Sequence, residues 1–120
     1  WAPDLDNAVN KKFVADFKAK TGRYPTHYAA QSYDAIMLIK SGADAVNGDM
    51  SNKDGIRAGM KKANFPSVRG KFRYGNNHFP IQDFHLRQVK KDANGDWFVS
   101  YVSTVTKDHQ DTYHTKCKMK

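Results

Sequence analysis

The hydrophobic period changes once along this chain, near Val68, and that change limits what the chain can build. Before it, apolar residues recur at helical spacing; after it, they alternate. Val9, Phe13 and Phe17 recur every four residues and predict a helix over residues 8–21. Asp6 or Asn7 is placed to cap it, and Gly22 is the left-handed residue expected to end it. A second helix is expected from Pro25 or Thr26 to about Val46, with Asn47-Gly48 as its stop. Ser51 opens a third, because Ser51-Asn52-Lys53-Asp54 resembles a capping box. Ile56, Met60 and Ala63 give it a narrow apolar face, and Asn64-Phe65-Pro66 stops it. Gly42 reads as a weak point inside the second helix, and Gly55 and Gly59 weaken the third by propensity.

Past Val68, Lys71-Phe72-Arg73-Tyr74 alternates and Gly75-Asn76-Asn77 turns. Phe79-Pro80 reads as an extended linker, and residues 83–90 alternate again through Phe84 and Leu86. Residues 92–96, Asp-Ala-Asn-Gly-Asp, are a hairpin turn signal. The return strand, 97–105, carries Trp97, Val99 and Tyr101 on one face and Phe98 and Val102 on the other, so it is expected to be covered on both sides. A hairpin is marginal in water unless something covers it. Three helices, a strand and then a hairpin give the fold class α/β, with the sheet partners of the hairpin mostly missing from this sequence. The tail, 107–120, has few apolar residues and is expected to be surface-bound or mobile.

The charge balance keeps several partners open. Lys and Arg outnumber Asp and Glu by 20 to 12, a formal charge of +8, which suits nucleic acid, anionic surfaces or small anions. No apolar run is long enough to span a membrane, and no signal peptide stands in the sequence shown. The sequence starts at Trp1 rather than Met, which suggests a processed product or a fragment. The one cysteine, Cys117, is either a free thiol on the tail or half of a disulfide whose partner lies elsewhere.

Candidate site residues gather at the start of the second helix. Tyr24, His27, Tyr28 and Gln31 are side chains able to hold a small ligand, and a helix N-terminus favours an anion or carboxylate. The alternative is a buried tyrosine and a capping environment without ligand. Farther along, Ile36, Met37, Leu38 and Ile39 look like a buried anchor, with Phe13 and Phe17 as partners. The five histidines have no metal-site spacing and read as surface residues, so no metal or other cofactor is expected. Asp34 and Asp83 are isolated acids that a cap or a surface salt bridge explains. Arg69, Lys71 and Arg73 share a strand face beside Phe72 and Tyr74, which supports an alternative function as a basic single-stranded nucleic-acid-binding module. The aromatic expected at the base-stacking position is Lys71, so a solvated basic face explains the stretch better. No phosphate loop, nucleophile elbow or catalytic constellation is present, and the chain is not expected to be an enzyme.

Four runs in order carry a family resemblance: W-x-P-D-L-D-N from Trp1, F-V-x-D-F-K-x-K-T-G-R-Y-P from Phe13, Y-A-A-Q-S-Y-D-A from Tyr28, and F-P-S-V-R-G-K-F-R-Y-G-N-N-H-F-P-I-Q-D from Phe65. Together they resemble the C-terminal third of type I periplasmic solute-binding proteins of branched-chain amino acid and aromatic acid ABC importers. The resemblance implies a two-lobed α/β protein with a ligand cleft between the lobes. By it, residues 1–78 contribute to the first lobe, 79–82 cross the hinge, 83–106 add a hairpin to the second lobe, and 107–120 are a tail. It places Tyr24, His27, Tyr28 and Gln31 at the ligand or on the cleft rim, with the main carboxylate- and amine-binding residues upstream. It implies a periplasmic location, a small amino acid or aromatic acid as ligand, and permease and ATPase subunits as partners, with no nucleic acid. The ending from Lys116 to Met119 resembles binding proteins for lignin-derived aromatic acids.

Overall fold

The computed structural model describes residues 1–119. Three helices come first: α1 (Ala8–Thr21), α2 (His27–Asp44) and α3 (Lys53–Lys62). Strands β1 (Arg73–Tyr74), β2 (Pro80–Lys91) and β3 (Trp97–His109) follow, then a single 3-10 turn, His114–Lys116. The strands form one antiparallel sheet in the order β1-β2-β3. The fold is α/β, as the change of period predicts. No helix among the described residues is long and apolar enough to cross a membrane.

Asn7 caps α1. Its side-chain oxygen accepts the N–H of Val9 at 2.9 Å and of Asn10 at 3.3 Å, while its amide donates to the Ser67 carbonyl at 2.8 Å. The cap therefore also ties the start of α1 to the strap that follows α3. Gly22 ends the helix at φ 72°. α1 meets α2 through rings, with Phe13 5.1 Å from Tyr33, and Phe17 lies 6.0 Å from Phe13 on α1 itself.

The crossing of α2 with α3 corrects how the glycines are understood. Gly42 and Gly59 are both buried. A Cβ on Gly59 would fall 2.6 Å from the Ala45 Cβ and 3.1 Å from the Gly42 Cα. These glycines let the two backbones touch, so residues weak in an isolated helix are what the packed pair requires. The capping box expected at Ser51 is also corrected. Asn52 is the cap, accepting the Gly55 N–H at 2.9 Å, and Ser51 instead bonds back to Asp49.

The centre of the molecule is small and partly polar: Ala2, Ala30, Val68 and Ile81 are buried together with Asn10 and Asp34. Asp34 is no surface acid. It is 2% exposed and accepts from the Ser67 hydroxyl at 2.6 Å, the Val68 N–H at 3.0 Å and Arg69 Nε at 2.8 Å. Arg69 continues the chain of contacts to Gln82 at 3.2 Å and lies over the Phe72 ring. The basic strand face is corrected by the same contacts. Only Arg73 and Tyr74 are strand, Arg69 turns inward to Asp34, and Arg73 pairs with Asp108 at 2.8 Å.

The hairpin forms where the turn signal predicts. The Asp92 N–H donates to the Asp96 carbonyl at 2.9 Å, and Gly95 takes the left-handed backbone the turn needs, at φ 88°. β3 continues past Val105 to His109, and its register with β2 is irregular between Gln82 and Arg87. Cover on both sides is not observed. Trp97 is 65% and Val105 68% exposed, and within the described residues β3 is sheltered where Tyr24 meets Phe98 and where Asp4 meets the buried Ser100. The expected buried anchor on α2 is corrected likewise: Ile36 is 65% and Ile39 51% exposed, because no neighbouring element reaches that face. The tail rests on the surface, held by Asn76 to the His114 carbonyl at 2.8 Å and by Asn77 to Asp111 at 2.6 Å.

Candidate ligand-binding site

The start of α2 faces the ribbon, and two depressions lie between them. Thr26 caps the helix, with its hydroxyl oxygen accepting the Ala29 N–H at 3.3 Å. The larger depression, about 220 Å³, is lined by Trp1, Tyr24, Pro25, Trp97 and Phe98, with His27 and Arg87 at its border with the second. The second, about 160 Å³, is polar and positive: Gln31, Arg69, Gln82 and His85 line it beside Phe84. Trp1, His27 and Arg87 belong to both. An aromatic chamber and a cationic chamber therefore meet at one boundary.

The four residues singled out in the sequence take different positions around this boundary. His27 borders both chambers, Tyr24 the aromatic one and Gln31 the cationic one. His27 Nε2 and Gln31 Nε2 are 2.9 Å apart, one helical turn along α2. Tyr28 is 80% exposed, edge-on to His27, and lines neither chamber. Tyr24 is already engaged: its hydroxyl donates to Asp92 at 2.9 Å, Lys18 Nζ sits 3.8 Å from its ring centre, and Phe98 stacks on it at 4.9 Å. It works as a wall whose polar end faces the hairpin turn.

Electrostatics sharpen the second chamber. Burial lowers the pKa of His27, and Arg87 and Arg69 push it the same way. Burial also lowers His85, helped by Arg87 and opposed by Asp83. Asp83 is the one acid lining that chamber, and its carboxylate accepts the Asp108 N–H at 2.9 Å. A hollow with excess positive charge suits a small anion. No group of three or more His, Cys, Asp or Glu able to hold a metal occurs among the described residues.

Sequence reasoning missed Arg87, His85 and Trp1. A signal existed for the first two: His85 and Arg87 alternate with Phe84 and Leu86, which places both on one strand face. Their position opposite α2 was not legible, because it depends on how the ribbon folds back over the N-terminal segment. That return is made by Asp4, which accepts the Tyr101 N–H at 2.7 Å and the Ser100 hydroxyl. A larger open groove, about 960 Å³, is lined by Arg69, Lys71 and Arg73 but also by Asp6, Asp83 and Asp108. With Arg69 and Arg73 paired to acids, a nucleic-acid interface is not favoured.

Comparison with known proteins follows the same line. The profile of a family described as periplasmic binding protein matches residues 1–95. A solute-binding protein of an ABC transporter from R. palustris, solved in complex with benzoate, is 34% identical, with a TM-score of 0.81 over 93% of this chain and 30% of that one. A solute-binding protein of an ABC transporter from Rhodopseudomonas palustris BisB5, in complex with 3,4-dihydroxybenzoic acid, is 25% identical, with a TM-score of 0.79 over 93% and 30%. An ABC transporter substrate-binding protein from Sphaerobacter thermophilus, 21% identical with a TM-score of 0.78 over 90% and 30%, shares the fold. No curated protein sequence matches the chain. The chain spans about 30% of the length of the solved proteins it resembles.

Proposed function

The chain belongs to the periplasmic binding protein family, and on that premise we propose that it is part of the ligand-binding component of an ABC importer, taking a small carboxylate, with an aromatic acid favoured over an amino acid. The observation that carries this choice is the meeting of an aromatic chamber with a cationic one at His27 and Arg87. A benzoate-like molecule has the same two halves. The two R. palustris relatives named for benzoate and 3,4-dihydroxybenzoic acid support it.

In this account residues 1–78 contribute to the first lobe, 79–82 cross the hinge and 83–106 add the ribbon to the second lobe, with 107–120 as a tail. His27 and Gln31 contact ligand, Tyr24 forms a wall and Tyr28 stands on the cleft rim. Closure of the lobes excludes water around the carboxylate, which strengthens each polar contact. The protein works in the periplasm and delivers its ligand to permease and ATPase subunits. Thermal unfolding with benzoate, 3,4-dihydroxybenzoate, leucine and isoleucine tests the proposal. Ligand at a hundred times its Kd adds about 2.7 kcal/mol of stability, so the aromatic acids are expected to raise Tm. Stabilisation by none of the four would sink it.

A further inference from the structure

We propose that Arg87 is the anion anchor of this site, taking the ligand carboxylate while the ligand ring lies against Tyr24, Trp97 and Phe98. The proposal rests on the solute-binding reading and adds the residue, the strand and the orientation.

Three observations lead to Arg87. The first is the pairing of the neighbouring cations. Arg69 is held by Asp34 and Gln82, Arg73 by Asp108, and Lys18 by Asp92 and Asp96. Among the described residues the Arg87 side chain makes one hydrogen bond, from Nη1 to the Trp1 carbonyl at 3.2 Å, and no carboxylate pairs with it. A guanidinium has five N–H donors, so most of the fork is left for a ligand. The second is position. Arg87 and His27 are the two cation-forming side chains that border both chambers, and a carboxylate at their boundary keeps its ring on the aromatic side. The third is charge. His27 faces Arg87 and Arg69, and His85 faces Arg87 and Asp83. Both histidines are held below their ordinary pKa, first by burial and then by these neighbours. A carboxylate placed among them reverses the repulsion. A planar fork matches a planar carboxylate in two parallel hydrogen bonds, which a lysine cannot supply.

The coupling has a defined sign. A bound anion raises the pKa of His27 and His85, so binding takes up protons and strengthens as the pH falls through the range in which these histidines titrate. The test is an NMR titration of both histidines in the full chain, with benzoate, neutral benzamide or inorganic phosphate, for wild type and Arg87→Gln. Arg87 is exposed, and circular dichroism is expected to show the variant folded. Benzoate is expected to raise both histidine pKa values and benzamide to leave them. Arg87→Gln is expected to weaken benzoate about tenfold or more, the usual weight of a charge-assisted contact. Equal benzoate binding by wild type and variant, with the histidines unmoved, would overturn the anchor and leave the solute-binding reading standing. Phosphate shifting the histidines as strongly as benzoate, with the Trp97 and Phe98 resonances unmoved by benzoate, would overturn the orientation. Failure of every carboxylate to bind would overturn anchor and solute-binding reading together.

Discussion

Asp34 shows what single residues carry here and why a sequence hides it. It stands just before the apolar run of α2, yet its partners Ser67, Val68 and Arg69 lie more than thirty residues on. Asn10 is the same case: fully buried on α1, it accepts from the Trp1 indole at 2.7 Å and donates to the carbonyls of Ala2 and Pro3. Removing one member of a buried pair strands the other, which costs about 3 kcal/mol or more. Asp34→Ala is therefore expected to lose about that much stability in urea unfolding, since Arg69, Ser67 and Val68 all lose an acceptor. Asp92 makes a second residue-scale prediction. Burial pushes its pKa up, but the Tyr24 hydroxyl, the N–H groups of Asp96 and Asn94, and Lys18 together hold it below the ordinary value. The unfolded chain then takes up the proton first. The contribution is complete above the ordinary Asp pKa of about 3.9 and is lost as the pH falls through the lower folded value. Stability measured against pH in this acid window is expected to fall less steeply in Asp92→Asn than in wild type.

Among the elements, helices were more legible than strands, for a physical reason. A helix is set by near neighbours, so the four-residue recurrence of Val9, Phe13 and Phe17, with Asp6 or Asn7 before and Gly22 after, located α1 at Ala8–Thr21. The start of α3 was misjudged by one position because Ser51 and Asn52 are both good caps, and Asp49 engages the serine. Strand ends depend on partners. β3 runs to His109 because Gln82, across the sheet, supplies its pair there. The glycines of α2 and α3 separate local from tertiary preference most sharply. Helix propensity alone favours Gly59→Ala by about 1 kcal/mol. Contact of the new Cβ with Ala45 and the Gly42 backbone opposes it, and overpacking of this kind costs about 1–3 kcal/mol. Net destabilisation on thermal unfolding followed by circular dichroism is expected, and a gain would show that the helices can slide apart freely.

At the scale of the whole molecule, the chain is more open than its length requires. Its radius of gyration is 16.4 Å, against about 13.6 Å for a compact domain of 120 residues. It exposes 8411 Å², while a folded monomer of this size exposes about 6600 Å². The difference is about twice what one partner buries in an ordinary protein interface, and exposed apolar side chains such as Ile36, Ile39, Trp97 and Val105 contribute to it. A hairpin lacking a partner was visible in the sequence, and so was the family, because ordered motifs survive where single ones say little. The pairing of α2 with the ribbon was not visible, since it joins segments about sixty residues apart. That pairing makes the candidate site, and its central claim is that an aromatic acid lies between the tip of α2 and the ribbon. Intermolecular nuclear Overhauser effects from benzoate ring protons test it most directly. The account predicts contacts to the rings of Tyr24, Trp97 and Phe98 that vanish when unlabelled 3,4-dihydroxybenzoate competes. Contacts confined to the exposed Ile36–Ile39 face, or no contacts at all, would contradict it.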